Sequence, residues 1–267
     1  MRTFFSRRTD TKLALPKTDH IRGGLSGFQR YSLQASRGNR DLNEGYSIAP
    51  EFVERGRVAV DGEAGAAEVW PAESDEYGLR GFRSICREYY EYIEGLARMI
   101  ADLIAEGLGL IAEYFVEYFE RQMAHCQLIR CYAGPQSENE NDGNDIGASL
   151  HTDWGLISIL LQDDVGGLQF VDGKTDTYIT VPPTPGAYVV NCGDLLTGLY
   201  TSARHRVIAP PPGTLRYSVP FFCDGNPDYL VDVLPLGEEW KAWVQGGRAS
   251  ARKLRREPMN QLRRSSR

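Results

Sequence analysis

The chain has 267 residues, of which 42% are hydrophobic and 25% are charged, so it can bury a sizeable core and is not a disordered chain. Its formal net charge of −6 argues against a dominant nucleic-acid surface. No run of about 20 apolar residues is present, which argues against a membrane-spanning helix.

An amphipathic helix is predicted in the first half of the chain. Between residues 81 and 121, charged residues recur every three to four positions and leave an apolar stripe of Leu96, Met99, Ile100, Leu103 and Ile104. The helix should break near Gly107 and Gly109, and a shorter helix should follow it. The preceding residues are polar and rich in glycine, which indicates short pieces and loops.

The pattern changes to short strands in the second half. Beyond Ala124 the apolar period falls towards two, and clusters of glycine and proline separate the apolar runs. Helices followed by many short strands indicate an α+β chain whose second half is a sandwich or barrel. The acidic, asparagine-rich segment 137–145 is predicted to be a flexible loop.

The charge is uneven along the chain. From Lys241 to Arg267 there are nine basic residues and one acidic residue, Glu257. This composition predicts a solvated or frayed basic tail over 237–267. The layout is therefore an N-terminal region of loops and helices (1–123), a β-rich core (124–236) and the tail.

The cysteines indicate a reducing compartment. The chain has five, without the dense spacing of a disulfide scaffold or the paired spacing of a zinc site. Cys126 and Cys131 are five apart, so on a strand their side chains point to opposite faces and should not share a metal. Reduced thiols and a cytoplasmic location are predicted.

One histidine pair and one carboxylate form a candidate metal site. His151 and Asp153 begin a strand-like run, and a spacing of two directs both side chains to one face of an extended segment. His205 follows in the same predicted sheet system. Two imidazoles and one carboxylate leave open positions on a metal and suit non-heme Fe(II). A lone His-x-Asp is more often a hydrogen-bonded or surface pair than a metal site. Other residues in the sequence must therefore distinguish the two.

The distinguishing residues are a second pair of polar residues on one strand. Arg216 and Ser218 are two residues apart on a predicted strand, so their side chains lie on the same face. A guanidinium on that face can hold a carboxylate with two hydrogen bonds. A metal triad beside a carboxylate clamp is what binding a chelating keto acid requires. Of two nearby polar or aromatic residues, Trp154 could line a pocket or pack in the core, and Asp194 is expected to cap a turn.

These motifs resemble those of a known enzyme family. The run HTDWGLISILLQDDVGGLQF, with NCGDLL, RHRV and RYS after it, is similar to the iron- and 2-oxoglutarate-dependent oxygenases of the isopenicillin N synthase-like family. The resemblance extends from about Phe4 to Leu236. It implies a double-stranded β-helix, or jelly roll, with flanking helices and with the metal at its open mouth. It also implies that a segment at the N-terminus of the family pattern is absent here.

The resemblance implies a role for each site residue. His151, Asp153 and His205 match the iron ligands, and Arg216 and Ser218 match the residues that hold the distal carboxylate of 2-oxoglutarate.

A further co-substrate residue is implied on the strand LIRCY. Tyr132 matches the tyrosine of the family's Asn-x-Tyr element, which helps to hold 2-oxoglutarate. Arg130 stands where many members have asparagine, so this element departs from the family pattern.

The function implied is an oxygenase that uses Fe(II), 2-oxoglutarate and O2, releases succinate and CO2, and hydroxylates, desaturates or cyclises a small organic molecule, as in secondary metabolism. Two alternatives stay open: an iron oxidase of the same fold that needs no 2-oxoglutarate, and a catalytically silent, truncated jelly roll. The expected partner is a small-molecule substrate, with no nucleic acid and no membrane; the oligomeric state is left open.

Overall fold

The structure is a computed structural model that describes residues 1–15, 18–19, 25–30, 35–36, 39–48, 70–74, 78–120, 122–134, 146–196, 199–231, 234–237 and 257–258. The predicted loop at 137–145 and nearly all of the predicted basic tail lie outside the described residues.

Among these residues, four α-helices and one 3-10 helix precede the main run of strands. They are α1 (Arg2–Phe5), α2 (Thr9–Leu13), α3 (Phe82–Gly107), a 3-10 helix (Ala112–Phe115) and α4 (Val116–Phe119). The predicted break is confirmed, since α3 ends at Gly107 and Gly109 follows with a φ of 73°, a conformation that glycine adopts without strain. No helix in the described part of the chain is long and apolar enough to cross a membrane.

The buried face of α3 matches the predicted stripe only in part, since Leu96, Ile100 and Ile104 are partly buried against the core. Met99 and Leu103 are each 61% exposed, whereas Ala97, Ala101 and Ala105 are fully buried. Alanines four residues apart form a ridge of small side chains, which lets the helix lie close to the sheet. Periodicity identified the helix and part of its inner face, and the alanines, which carry little hydrophobic signal, belong to that face as well.

Fifteen strands are described, and they form two main sheets and two small ones. In chain order they are β1 (Thr18–Asp19), β2 (Leu25–Arg30), β3 (Ala35–Ser36), β4 (Asn39–Arg40), β5 (Asn43–Ile48), β6 (His125–Tyr132), β7 (Ile146–His151), β8 (Ile157–Gln162), β9 (Leu168–Val171), β10 (Tyr178–Thr180), β11 (Val189–Cys192), β12 (His205–Ile208), β13 (Leu215–Phe222), β14 (Leu230–Val231) and β15 (Glu257–Pro258).

The two main sheets are antiparallel. The larger has the order β1-β2-β5-β6-β13-β8-β11, and the smaller has the order β10-β9-β12-β7. The predicted combination of helices with an antiparallel β-rich second half is confirmed. The described residues before position 49 differ from the predicted loops, because β2 and β5 extend the larger sheet beyond β6.

Two apolar clusters hold these layers together. The larger cluster packs α3 against the seven-stranded sheet and includes Tyr90, Cys126 and Phe221. The smaller cluster contains Cys131, Leu168 and Val207, which come from β6, β9 and β12 and therefore join the two sheets. As predicted, Cys126 and Cys131 lie on opposite faces of their strand.

A buried ion network ties the N-terminal helices to the larger sheet. Lys12, 1% exposed, donates from Nζ to both carboxylate oxygens of Glu44 at 2.8 and 2.9 Å and to the Phe5 carbonyl oxygen at 3.0 Å. Arg130 binds the same carboxylate at 2.5 Å and the same carbonyl at 2.8 Å. One buried anion therefore compensates two cations, of which Lys12 is buried and Arg130 is 20% exposed.

Removal of the central carboxylate should strongly destabilise the protein. We expect Glu44→Ala to lower the free energy of unfolding by about 3–5 kcal/mol, because it leaves the buried Lys12 ammonium without its counter-charge. Asp10→Ala is the control, since the Arg8–Asp10 pair is largely exposed and should contribute little. Urea unfolding of both variants checks this, and equal midpoints for the two would contradict it.

Candidate functional site

The strand pairing of the smaller sheet brings the three predicted metal ligands together. His151 ends β7 and His205 begins β12, and the two are directly paired across the sheet with ring centroids 4.2 Å apart. Asp153 lies in the turn after β7, and its Oδ1 is 3.8 Å from the Nε2 atom of each histidine. The potential ligand atoms all lie within 4.8 Å of one another. The side chains thus converge as the sequence predicted, although Asp153 lies beyond the end of the strand.

Hydrogen bonds identify Nδ1 as a protonated ring nitrogen in both imidazoles. Nδ1 of His151 is 2.6 Å from the carbonyl oxygen of Ser149, and Nδ1 of His205 is 3.0 Å from that of Ala203. Because a carbonyl oxygen only accepts, each Nδ1 must carry the proton, and each Nε2 lone pair points towards the shared centre. Burial lowers the pKa of His205, which also favours the neutral, ligating form.

The Asp153 carboxylate is oriented by two residues that the sequence analysis missed. Its Oδ2 accepts hydrogen bonds from Ser158 Oγ at 2.5 Å and from Asn191 Nδ2 at 2.8 Å, so Oδ1 is left facing the histidines. Ser158 and Asn191 are paired directly across β8 and β11. Both are buried polar residues in otherwise apolar strands, which is the signal that could have identified them.

Two glycines permit the close backbone packing behind the carboxylate. A Cβ atom at Gly155 would overlap the carbonyl oxygen of Cys223, and one at Gly193 would overlap the carbonyl oxygen of Gly155. The backbone N–H of Asp194 donates to the Asp153 carbonyl oxygen at 2.8 Å. The turn that carries Asp153 is therefore held by backbone contacts on its inner side.

The Arg216 guanidinium is buried without an anionic partner among the described residues. Arg216 is 1% exposed, and its three hydrogen bonds go to the neutral oxygens of Gly166 at 2.6 Å, Ser218 at 2.8 Å and Gln162 at 3.3 Å. None of the ion pairs among the described residues includes it. A buried cation is costly unless an anion compensates it, so this group fits a ligand carboxylate.

The triad and the guanidinium lie in one cavity between the two sheets. The cavity has a volume of about 100 Å³, well above the roughly 10–15 Å³ that one water molecule needs. Apart from these groups, its walls are mainly apolar and include Leu160, Leu168, Phe170 and Val189. The predicted ligands and the Arg216–Ser218 pair are therefore close enough to act on one bound molecule.

The structure does not bring Tyr132 to this cavity. Along β6, Ile129 and Cys131 line the cavity, so the alternation of the strand turns Arg130 and Tyr132 to the other face. The Tyr132 hydroxyl is buried there and has no hydrogen-bond partner among the described residues. Arg130, the departure from the family pattern, binds Glu44 on that face. The assignment of Tyr132 as a co-substrate residue is therefore corrected.

Trp154, whose place the sequence left open, and Asp194, which was expected to cap a turn, both lie close to Asp153 in the chain or in the fold. Trp154 is 42% exposed, so it is not a core residue, and it is not among the residues that line the cavity. Asp194 begins a 3-10 turn and accepts a hydrogen bond from the Thr152 hydroxyl at 3.1 Å. Asp194 thus supports the turn that carries Asp153.

Comparison with known proteins gives consistent matches. The sequence profile of the 2OG-Fe(II) oxygenase superfamily matches residues 123–225. The chain is 34% identical to the 2-oxoglutarate-Fe(II) type oxidoreductase hxnY of Emericella nidulans over 87% of its own length and 66% of that protein. It is 35% identical to the 2-oxoglutarate-dependent dioxygenase citB of Monascus ruber over 85% of its own length and 72% of that protein.

A solved structure has a similar fold. A full-length Neurospora crassa protein, crystallised with alpha-KG and 5-formyluracil, superposes with a TM-score of 0.71 at 27% identity, over 92% of this chain and 78% of that one. The chain thus spans about two thirds to four fifths of the length of these three proteins.

The residues that orient Asp153 should affect metal affinity. We expect Asn191→Ala to weaken Fe(II) binding by about 10–100-fold, because the carboxylate loses one of the two bonds that fix its orientation. Asn226→Ala is the matched control, since the Asn226 side chain only accepts a bond within an exposed turn. Anaerobic Fe(II) titration of both variants measures the effect. Equal affinities would show that Asn191 does not orient the ligand.

Proposed function

The chain belongs to the 2OG-Fe(II) oxygenase superfamily, and we propose that it is an Fe(II)- and 2-oxoglutarate-dependent oxygenase that oxidises a small organic molecule. The observation that carries the proposal is the presence, in one cavity, of two imidazoles and a carboxylate beside a buried guanidinium that has no anionic partner in the described part of the chain. The two imidazoles and the carboxylate fit a divalent iron, and the guanidinium fits the free carboxylate of a chelating keto acid.

The proposal includes the finer architecture of the core. We assign the two antiparallel sheets to a double-stranded β-helix, or jelly roll, with α3 packed on the outer face of the larger sheet. The order of the strands and the position of the cavity between the sheets support this assignment.

His151, Asp153 and His205 would hold the metal. Their Nε2 and Oδ1 atoms point to a common centre, and the Nδ1 and Oδ2 atoms are already engaged with the protein. Fe(II) bound there, with 2-oxoglutarate and O2, supplies the oxidative chemistry that yields succinate, CO2 and an oxidised substrate. The three side chains occupy one side of the centre and leave the other side for ligands.

Arg216 and Ser218 would hold the co-substrate. The guanidinium presents a planar array of N–H donors at the end of the cavity, where low exposure strengthens its interaction with a carboxylate. Its fixed bonds to Gly166 and Gln162 orient it before the ligand arrives. The apolar side walls exclude water from the keto acid once it is bound.

The substrate would approach from the side of His151. The His151 side chain is 42% exposed, whereas those of Asp153 and His205 are 5% and 11% exposed, so the open side of the cavity lies near His151. Hydroxylation, desaturation and ring closure would all use the same ligand set. We propose a small organic substrate in secondary metabolism and a cytoplasmic location.

An anaerobic titration tests the proposal without knowledge of the substrate. We expect the protein to bind Fe(II) and then, on addition of 2-oxoglutarate, to develop the weak visible charge-transfer band of an iron-chelated keto acid. His151→Ala should not develop the band. Iron binding without the band would favour the iron oxidase that needs no 2-oxoglutarate. Folded protein that binds no iron would favour the silent jelly roll.

The carboxylate clamp has a separate test. We expect Arg216→Ala to weaken 2-oxoglutarate binding by about 30-fold or more, because the ligand carboxylate would then be buried without a cation. Arg8→Ala is the control, since Arg8 forms only a surface ion pair. Anaerobic calorimetry on the Fe(II)-loaded proteins measures the affinity. Unchanged 2-oxoglutarate affinity in Arg216→Ala would rule out the clamp assignment.

A further inference from the structure

Three side chains from neighbouring strands form a row at the inner end of the cavity. Cys131 on β6 is paired directly with Arg216 on β13 and with Asn43 on β5. All three line the cavity, and each is at least nine-tenths buried. The co-substrate side of the cavity therefore includes a thiol and an amide that neither the sequence motifs nor the family pattern assigned.

Within the described residues, only one of the two polar groups of the Asn43 side-chain amide has a hydrogen-bond partner. Its Nδ2 donates to the Gly147 carbonyl oxygen at 2.5 Å, while its Oδ1 is buried without a hydrogen-bond partner in the described part of the chain. Buried amide oxygens are normally paired, so an unpaired one in a cavity wall indicates a place for a bound molecule or its water.

The Cys131 thiol does not neutralise the guanidinium beside it. Burial raises the pKa of Cys131, and the Arg216 guanidinium offsets this rise only in part, so the thiol is neutral near pH 7. A neutral thiol is a weak hydrogen-bond donor and leaves the positive charge of Arg216 for a ligand. Of the five cysteines, all of which are free, only Cys131 is among the described residues that line the cavity.

We propose that Cys131 forms the wall of the 2-oxoglutarate subsite next to the carboxylate that Arg216 holds, with Asn43 completing that wall. This inference rests on the proposed function. It has two consequences that do not depend on catalysis: bound 2-oxoglutarate covers the thiol, and a larger side chain at position 131 occupies space that the co-substrate needs.

Thiol protection tests the first consequence. The Fe(II)-loaded protein is treated anaerobically with iodoacetamide, with and without 2-oxoglutarate, and alkylation of each cysteine is followed by peptide mass spectrometry. We expect 2-oxoglutarate to slow alkylation of Cys131 by about tenfold or more. Cys192 is the internal control, because it is half-buried and lies outside the cavity lining, so its rate should not change.

Side-chain volume tests the second consequence and also covers the case in which Cys131 reacts too slowly to follow. We expect Cys131→Leu to weaken 2-oxoglutarate binding by about tenfold or more in anaerobic calorimetry, with Fe(II) affinity unchanged. The nearly isosteric Cys131→Ser should stay within about threefold of the original protein. Val181→Leu is the matched control, since Val181 packs against the same apolar cluster but does not line the cavity.

The outcomes separate this inference from the proposed function. If the unmodified protein binds Fe(II) but not 2-oxoglutarate, the proposed function fails. If it binds 2-oxoglutarate while Cys131→Leu binds it equally well, or while Cys131 is alkylated at the same rate with and without ligand, only the assignment of Cys131 is overturned. If Val181→Leu also binds 2-oxoglutarate weakly, the effect comes from general packing, and the assignment of Cys131 is overturned as well.

Discussion

The antiparallel pairing of β7 with β12 is the interaction on which the site depends. It places His151 directly opposite His205, although 53 residues separate them in the chain, and both rings then hydrogen bond to backbone carbonyl oxygens through Nδ1. A register shift of one residue would turn one imidazole to the other face of the sheet. The paired residues Ser158 and Asn191 impose a similar constraint on Asp153. Strand pairing thus sets the positions of the two histidines and of the two residues that orient Asp153.

The charges of the protein are arranged in two contrasting ways. On the outer face of β6, Lys12, Glu44 and Arg130 form a buried network in which the protein supplies its own counter-charge. In the cavity, Arg216 is equally buried and, within the described residues, has only neutral partners. The first arrangement joins the N-terminal helices to the sheet. The second carries an electrostatic cost without ligand, and an incoming carboxylate would remove that cost.

The N-terminal region is part of the site rather than a layer that only packs on it. β5 pairs with β6 along its whole length and contributes Asn43 to the cavity wall. The same strand contributes Glu44 to the ion network on the opposite face. Successive residues of one strand therefore serve the cavity and the attachment of the N-terminal helices. The larger sheet thus includes strands that lie well before residue 124.

The sequence by itself determined the α+β class and the break after Gly107, because these follow from local periodicity. It also identified His151, Asp153 and His205 as candidate metal ligands, through the His-x-Asp spacing and the resemblance of the motifs to a known family. It also identified Arg216 and Ser218, two residues apart on one strand. Only the tertiary structure decided which face of β6 meets the cavity. It places Cys131, and not Tyr132, among the residues that line the cavity. It also revealed Asn43, Ser158 and Asn191, whose roles arise from pairing with distant strands. Local patterns encode alternation along a strand, whereas the choice of face and partner depends on the sheet register, which is a property of the whole chain.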